Sequence, residues 1–234
     1  MKKLKELSLF FPAYNEETNL ENTVEKAIPL LSQVAKKFEI IIVNDGSKDN
    51  TGKVAARLVE KYSFVKAITH NSNRGYGGAI KSGLYGSKYE WIVFTDSDGQ
   101  FDFGEVTKFI EKQEETGADL VIGYYLKRAV SPVVIFTSKL WEFLVFLLFG
   151  LKVTDTDCGF KMIRKEVVDR IPKLEAEKGP FITSELLIKA KKAGFKFAEV
   201  GVSHYPRVGG KATGRSFKVI LSGLSDLLKL RFSI

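Results

Sequence analysis

With 234 residues, 44% of them hydrophobic, the chain has enough apolar material for one α/β domain with a full core, and no segment has the composition of a disordered one. Its formal net charge of +8 favours anionic partners, and its single cysteine, Cys158, excludes an intrachain disulfide and fits a reducing compartment. No repeat or Pro- or Ser-rich linker divides it, and the basic start lacks a signal-peptide cleavage pattern, so one domain is expected.

Strand and helix signals alternate through the first half. Leu7–Phe11 is a short apolar run, and Glu17–Lys37 carries Leu20, Val24, Ala27, Ile28 and Leu31 at helical spacing. Glu39–Val43 reads as a buried strand, Thr51–Tyr62 as a helix capped by Ser47 or Asp49, and Phe64–Thr69 as a strand. Gly78–Ser87 follows as a helix, Glu90–Thr95 as a strand, Gly104–Thr116 as a helix and Asp119–Ile122 as a strand. This rhythm predicts an α/β fold: a Rossmann-like, mostly parallel sheet flanked by helices. In such sheets ligands bind beyond the carboxyl ends of the strands. Polar clusters stand at four of those ends: PAYNE, NDGS, HNSNRGYGG and DSDGQ.

Three familiar motifs nearly match and fail. NRGYGGAIKS has Ile80 before its lysine, where a P-loop requires glycine, and the same residue breaks a dinucleotide fingerprint. FTDSDGQFDFGE has Phe94 where an EF-hand loop needs its first carboxylate, and a strand precedes it.

The run WIVFTDSDGQ ends a strand pattern in Asp96 and Asp98. Residues i and i+2 share one side of an extended chain, so the two carboxylates repel unless a cation joins them. Mg2+ or Mn2+ favours one or two carboxylates plus ligand phosphates, and such an ion offsets charge on a departing diphosphate. The alternative is a capped turn shaped by Ser97 and Gly99.

FPAYNEE (11–17), IIIVNDGSKDNT (40–51), NRGYGGAIKSG (73–83), FTDSDGQFD (94–102) and DTDCGFKMIRKEV (155–167), taken in order, resemble the family 2 glycosyltransferases of GT-A fold, and among them the dolichyl- and other polyprenyl-phosphate hexosyltransferases. The likeness covers Leu7 to about Lys218. It implies that Pro12, Ala13, Tyr14 and Glu16 line a nucleotide pocket and that Asp45 accepts hydrogen bonds from the base. It further implies that Asp96 and Asp98 hold the metal with Gln100 completing its shell, and that Asp98 is catalytic. Lys81 could meet a phosphate or be an ordinary solvated helix lysine.

The second half differs in style. Ser131–Val153 is strongly apolar but interrupted by Lys139 and Glu142, and its uninterrupted core, Phe143–Phe149, is too short to span a bilayer. Ser216–Ile234 is a basic amphipathic pattern. Both fit core helices, and together with the resemblance they are read as helices lying in a membrane interface. Basic residues gather at Lys127, Arg128, Lys178, Arg207, Lys211 and Arg215. The resemblance places Lys178 and Arg207 on phosphates and puts Glu185 at an acidic position with a catalytic or orienting part, while Arg128 stands with the basic cluster as a substrate-binding candidate. His204 reads as structural. A departure is Gly123-Tyr124-Tyr125, where many relatives carry an arginine after the fifth strand.

The expected activity is therefore inverting transfer of mannose or glucose, from GDP-mannose or UDP-glucose, to a polyprenyl (dolichyl) phosphate, with residues 1–125 as the nucleotide-sugar half and 126–234 as the acceptor half of one domain. The expected location is the cytoplasmic face of a membrane, peripherally, held by the interfacial helices or a partner subunit. A soluble sugar, protein or polysaccharide acceptor is the alternative, although the QxxRW signature of processive synthases is absent. A basic nucleic-acid module is the remote one; no motif supports it, and no nucleic-acid partner is expected.

Overall fold

The computed structural model describes residues 2–127, 132–207 and 217–233. The chain runs β1 (Leu4–Ala13), α1 (Leu20–Val34), β2 (Ala35–Asn44), α2 (Thr51–Lys61), β3 (Val65–Thr69), α3 (Tyr76–Gly86) and β4 (Trp91–Phe94). A single 3-10 turn (Phe103–Glu105) leads into α4 (Val106–Thr116) and β5 (Leu120–Tyr125). Then come α5 (Pro132–Phe149), β6 (Lys161–Arg164), α6 (Lys165–Arg170), α7 (Phe181–Lys192), β7 (Phe197–Val202) and α8 (Phe217–Ser233).

One seven-stranded sheet takes the order β3-β2-β1-β4-β6-β5-β7. Pairing is parallel except at β6, which lies antiparallel between β4 and β5. Successive side chains of a strand face opposite sides, and both sides of this sheet are covered. Leu7, Leu9 and Phe11 of β1 join Ile40 and Ile42 of β2 in a core closed by α1, α2 and α4. Phe10, Ile41 and Val43 point the other way, into a core closed by α3, α5, α6, α7 and α8. That explains why EIIIV reads as continuously apolar rather than alternating.

Two elements depart from the sequence reading. The helix expected to reach Lys37 ends at Val34, because Ala35 already pairs with Leu4 and the following residues continue in register along β1. Sheet pairing there overrides the local helical spacing. Strand β6 carried no readable signal: KMIR is four residues long with a cation at each end. Its antiparallel insertion places its first residue, Lys161, opposite Phe94 at the end of β4. The segment before it therefore arrives at the same edge as the carboxyl ends of β1 to β4.

Helix α3 lies close on β1 because residue 83 has no side chain. A Cβ on Gly83 would stand 2.2 Å from the Phe10 ring, which is fully buried and stacked on Phe94 at 5.1 Å. Gly83→Ala is therefore expected to destabilise the protein by about 1–3 kcal/mol through overpacking. Urea denaturation should show a lower midpoint with an unchanged slope.

Candidate active site

Four loops from parallel strand ends meet at one edge, joined by residues 154–160 before β6 and 203–207 after β7. The β1 loop turns at Asn15, whose φ of +56° is left-handed and rare outside glycine. Its amide donates to Ser47 Oγ at 3.0 Å and its Oδ1 accepts from the Lys48 amide at 2.8 Å. That turn aims Glu16 inward. Glu16 is buried, its own amide donates to Thr51 Oγ1, and its Oε2 accepts from Asn19 at 2.8 Å. Burial raises its carboxyl above the ordinary value, against the pull of Asn19 and Arg207. The backbone of Pro12 and Ala13 is also engaged: Ser97 Oγ donates to the Pro12 carbonyl at 2.8 Å, and the Asp45 amide to the Ala13 carbonyl at 2.9 Å. Tyr14 is half-buried beside them.

Asp96 and Asp98 leave β4 together as the i, i+2 pattern requires. Asp98 is buried and accepts from the Gln100 amide at 3.0 Å. Asp96 accepts from the Tyr76 hydroxyl at 3.0 Å. Burial, then the neighbouring charge of Asp98, pushes Asp96 up to about 7. Arg207 reaches this acidic group from the far end of the chain. Its guanidinium pairs with Glu16 and lies 3.6 Å from Asp98 Oδ2. Its segment is fixed by paired bonds: the Tyr205 amide to the Gln100 carbonyl, and Gln100 Nε2 to the Tyr205 carbonyl, each 2.9 Å. Gln100, expected in a metal's shell, thus spends its amide nitrogen on holding the Arg207 segment.

Other expected site residues have different employment. Asp45 is buried, and its oxygens accept from the Arg74 amide (2.9 Å), the Gly75 amide (2.8 Å) and His70 Nδ1 (2.6 Å). The other ring nitrogen of His70, Nε2, lies 2.8 Å from Ser82 Oγ. Asp45 therefore ties together the ends of β2 and β3 and the start of α3.

Glu185, expected among catalytic residues, is engaged by the loop before α7 and by its own helix. Only 1% exposed, it pairs with Lys189 at 2.6 Å and accepts the amides of Glu175 and Ala176. Every strong acceptor direction is spent on shaping the loop before α7. Lys81 departs too: it is bound to Glu177 at 2.8 Å and to the Glu175 carbonyl, not held free for a phosphate. Arg74 joins Glu177 at 2.7 Å, and these two cations hold the Glu177 carboxyl down to about 2. Lys178, the next residue, is exposed, and its backbone rests against Gly75. Arg128, Lys211 and Arg215 lie outside the described residues.

Two residues went unread in the sequence. Tyr76 stood inside NRGYGGAIKSG, a stretch read for its failed phosphate motifs, its place at a strand end and its family resemblance, none of which gave the tyrosine a part. Lys161 is fully buried, donates to the carbonyls of Thr156 and Cys158, and lies 5.8 Å from the Phe94 ring centre. Burial lowers its ammonium pKa, and its charge acts on Asp96. A lysine opening an apolar strand beside D-T-D-C-G was the available signal. Cys158 is buried and its thiol is pushed up to about 12, which leaves it a packing residue. His204 packs edge-on against Phe101 and Tyr125, as a structural residue does.

Residues 8–171 match the model of glycosyl transferase family 2. The chain belongs to that family. It is 33% identical to dolichyl-phosphate beta-glucosyltransferase of Dictyostelium discoideum over 97% of its length and 74% of the relative's. It is also 33% identical to the protein of the same name from Homo sapiens, over 85% of this chain and 67% of the other. Glucosyl-3-phosphoglycerate synthase from Mycobacterium tuberculosis, solved with Mn2+, uridine diphosphate and phosphoglyceric acid, superposes with a TM-score of 0.70 at 20% identity. That superposition covers 97% of this glycosyltransferase and 78% of the solved chain, and the shared fold is GT-A.

Outside the site, α5 and α8 each bury one face and expose another. Val145, Leu227 and Leu230 are buried, whereas Phe136, Leu140, Phe143 and Leu147 of α5 and Leu228 and Phe232 of α8 are exposed. Among the described residues no helix is long and apolar enough to cross a membrane.

Proposed function

We propose that this glycosyltransferase moves glucose from UDP-glucose to a dolichyl or related polyprenyl phosphate with inversion at the sugar. The observation that carries the reading is the meeting of Asp96, Asp98, Glu16 and Arg207 at one edge of the sheet, in a chain whose relatives bear the name dolichyl-phosphate beta-glucosyltransferase. Among the described residues no three His, Cys, Asp or Glu side chains form a self-sufficient metal cage. Two neighbouring carboxylates, one with its pKa raised by burial and by the other's charge, fit a divalent ion that takes its remaining ligands from a diphosphate. Asp96 and Asp98 would hold Mg2+ or Mn2+, which offsets the charge on the leaving uridine diphosphate.

The protein's own residues supply alignment. Tyr14 offers a ring face to the base, beside the loop that Asp45 braces, and Lys178 and Arg207 are the cations for phosphate oxygens. The acceptor oxygen forms its bond to the anomeric carbon as the bond from that carbon to the diphosphate breaks. A phosphate monoester has a second pKa of about 6, so at neutral pH it is already a dianion and no protein base is needed. The burial of Glu185 therefore costs the reaction nothing, and its part is to hold the loop that carries Lys178.

The exposed stripe Phe136, Leu140, Phe143 and Leu147, with Leu228 and Phe232, supports α5 and α8 lying in the membrane interface where the lipid acceptor resides. We assign that contact to the cytoplasmic leaflet, without requiring a separate membrane subunit. Incubation with radiolabelled UDP-glucose or GDP-mannose, Mg2+ or Mn2+ and a polyprenyl phosphate, followed by organic extraction, tests the reading. Label should enter the organic phase from UDP-glucose. Transfer from GDP-mannose alone would reverse the donor assignment, and label confined to water with both donors would reject the lipid acceptor.

The raised Asp96 gives a pH dependence. Protons compete with the cation for this carboxylate, so Mn2+ affinity should fall about tenfold per pH unit below about 7 and level off above it, in titrations followed by electron paramagnetic resonance. The sign for stability is opposite. Without metal the folded chain retains a proton that the unfolded chain releases near pH 4, so this group makes the fold less stable as pH rises from about 4 to about 7.

A further inference from the structure

The first turn of α3 connects two parts of the rim. Its entry is fixed from one side by Asp45, which accepts the amides of Arg74 and Gly75, and His70 braces Asp45 from behind. It is fixed from the other side by residues 175–178. The Gly78 amide donates to the Glu177 carbonyl at 3.0 Å, and Gly75, with φ of +94°, lies so close that a Cβ would stand 2.6 Å from Lys178 Cα. Between these supports sits Tyr76, half-buried, with its hydroxyl on Asp96 Oδ1 at 3.0 Å. Among the described residues it is the only hydrogen-bond donor to that carboxylate. The other oxygen, Oδ2, faces Gly159, where a Cβ would stand 2.4 Å away.

A carboxylate on a short side chain can turn about two torsions, and turning removes an oxygen from a ligand position. Here one oxygen is tethered by a phenol on an immobilised helix start and the other is backed by bare backbone. A neutral phenol provides the tether without adding a cation that would compete with a metal. We infer that Tyr76 is a positioning residue for Asp96, orienting this carboxylate for a divalent ion and coupling it through Gly75 and Asp45 to the part of the rim assigned to the nucleotide base. The inference rests on the reading that Asp96 and Asp98 hold that ion. Partners that orient a metal ligand in this way are worth about 10–100-fold in metal affinity when removed.

The test compares wild type with Tyr76→Phe, which keeps the ring and its packing. Mn2+ binding is titrated by electron paramagnetic resonance in the presence of saturating uridine diphosphate. Uridine diphosphate binding is measured by calorimetry without metal, and thermal unfolding is followed in both proteins. The expected result is Mn2+ affinity weakened about tenfold, metal-free nucleotide affinity within twofold, and a melting temperature within a few degrees of wild type. Unchanged Mn2+ affinity in Tyr76→Phe, beside normal binding in wild type, overturns the inference and leaves the site reading intact. Metal affinity, nucleotide affinity and melting temperature falling together also overturns it, because the hydroxyl would then be serving the fold. Wild-type protein that takes up no Mn2+ with uridine diphosphate rejects the metal site itself, and the inference with it.

Discussion

Asp98→Ala is expected to lower kcat/KM by about three orders of magnitude, ~4 kcal/mol of transition-state stabilisation, with the protein still folded. The carboxylate lies in a group of like charges: Asp98 is a raising influence on both Asp96 and Glu16. Removing it relieves that repulsion and costs the fold little beyond the bond from the Gln100 amide, 3.0 Å, and the long contact to Arg207. The melting temperature of metal-free Asp98→Ala should therefore be close to that of wild type. Asp98→Asn separates the two contributions, since the amide oxygen still accepts from Gln100 while the charge is gone; it should be nearly as inactive as the alanine variant. Labelled glucose transfer into an extractable lipid measures the loss. Wild-type turnover in either variant would remove the metal-assisted scheme.

Gly159→Ala should lower activity about a hundredfold by a different route. Its Cβ would lie 2.4 Å from Asp96 Oδ2 and 2.8 Å from Cγ, so the carboxylate must move. It cannot simply slide, because Oδ1 is held by Tyr76. A displacement of about 1 Å at a reacting centre costs on the order of 10²-fold. The atoms displaced belong to the end of a side chain rather than to backbone, so global stability should change far less than activity. Thermal unfolding alongside steady-state kinetics and Mn2+ titration would show this split. An active Gly159→Ala variant with wild-type Mn2+ affinity would mean that Asp96 need not sit where it does.

Much of this site was legible because its information is local. A buried strand that ends in D-x-D puts two carboxylates on one side of the chain whatever surrounds it, and four polar clusters at successive strand ends imply one ligand edge. The alternation of strand and helix patterns likewise specified a sheet with both faces covered, whereas α5 is apolar nearly all round and only the fold decided which of its residues are exposed. The employment of individual acids and bases could not be read in that way. Lys81 and Asp45 are ordinary polar residues in sequence, committed by partners remote in the chain, such as Glu177 for Lys81, 96 positions away; Glu185 is committed by nearer ones, Lys189 and the amides of Glu175 and Ala176, which meet it only because the loop before α7 folds back on that helix. Local pattern predicts where a charged group begins, but only packing decides which counter-charge and which amides reach it first.

By itself, the sequence determined a mostly parallel sheet and an acidic pair at its ligand edge, since periodicity and backbone geometry act within a few residues. Tertiary structure alone decided that β6 inserts antiparallel and delivers Gly159 beneath Asp96, that Tyr76 grips the same carboxylate, and that Arg207 crosses 191 positions to meet Glu16. Those outcomes depend on burial and close approach between distant segments, for which no spacing along the chain carries a sign.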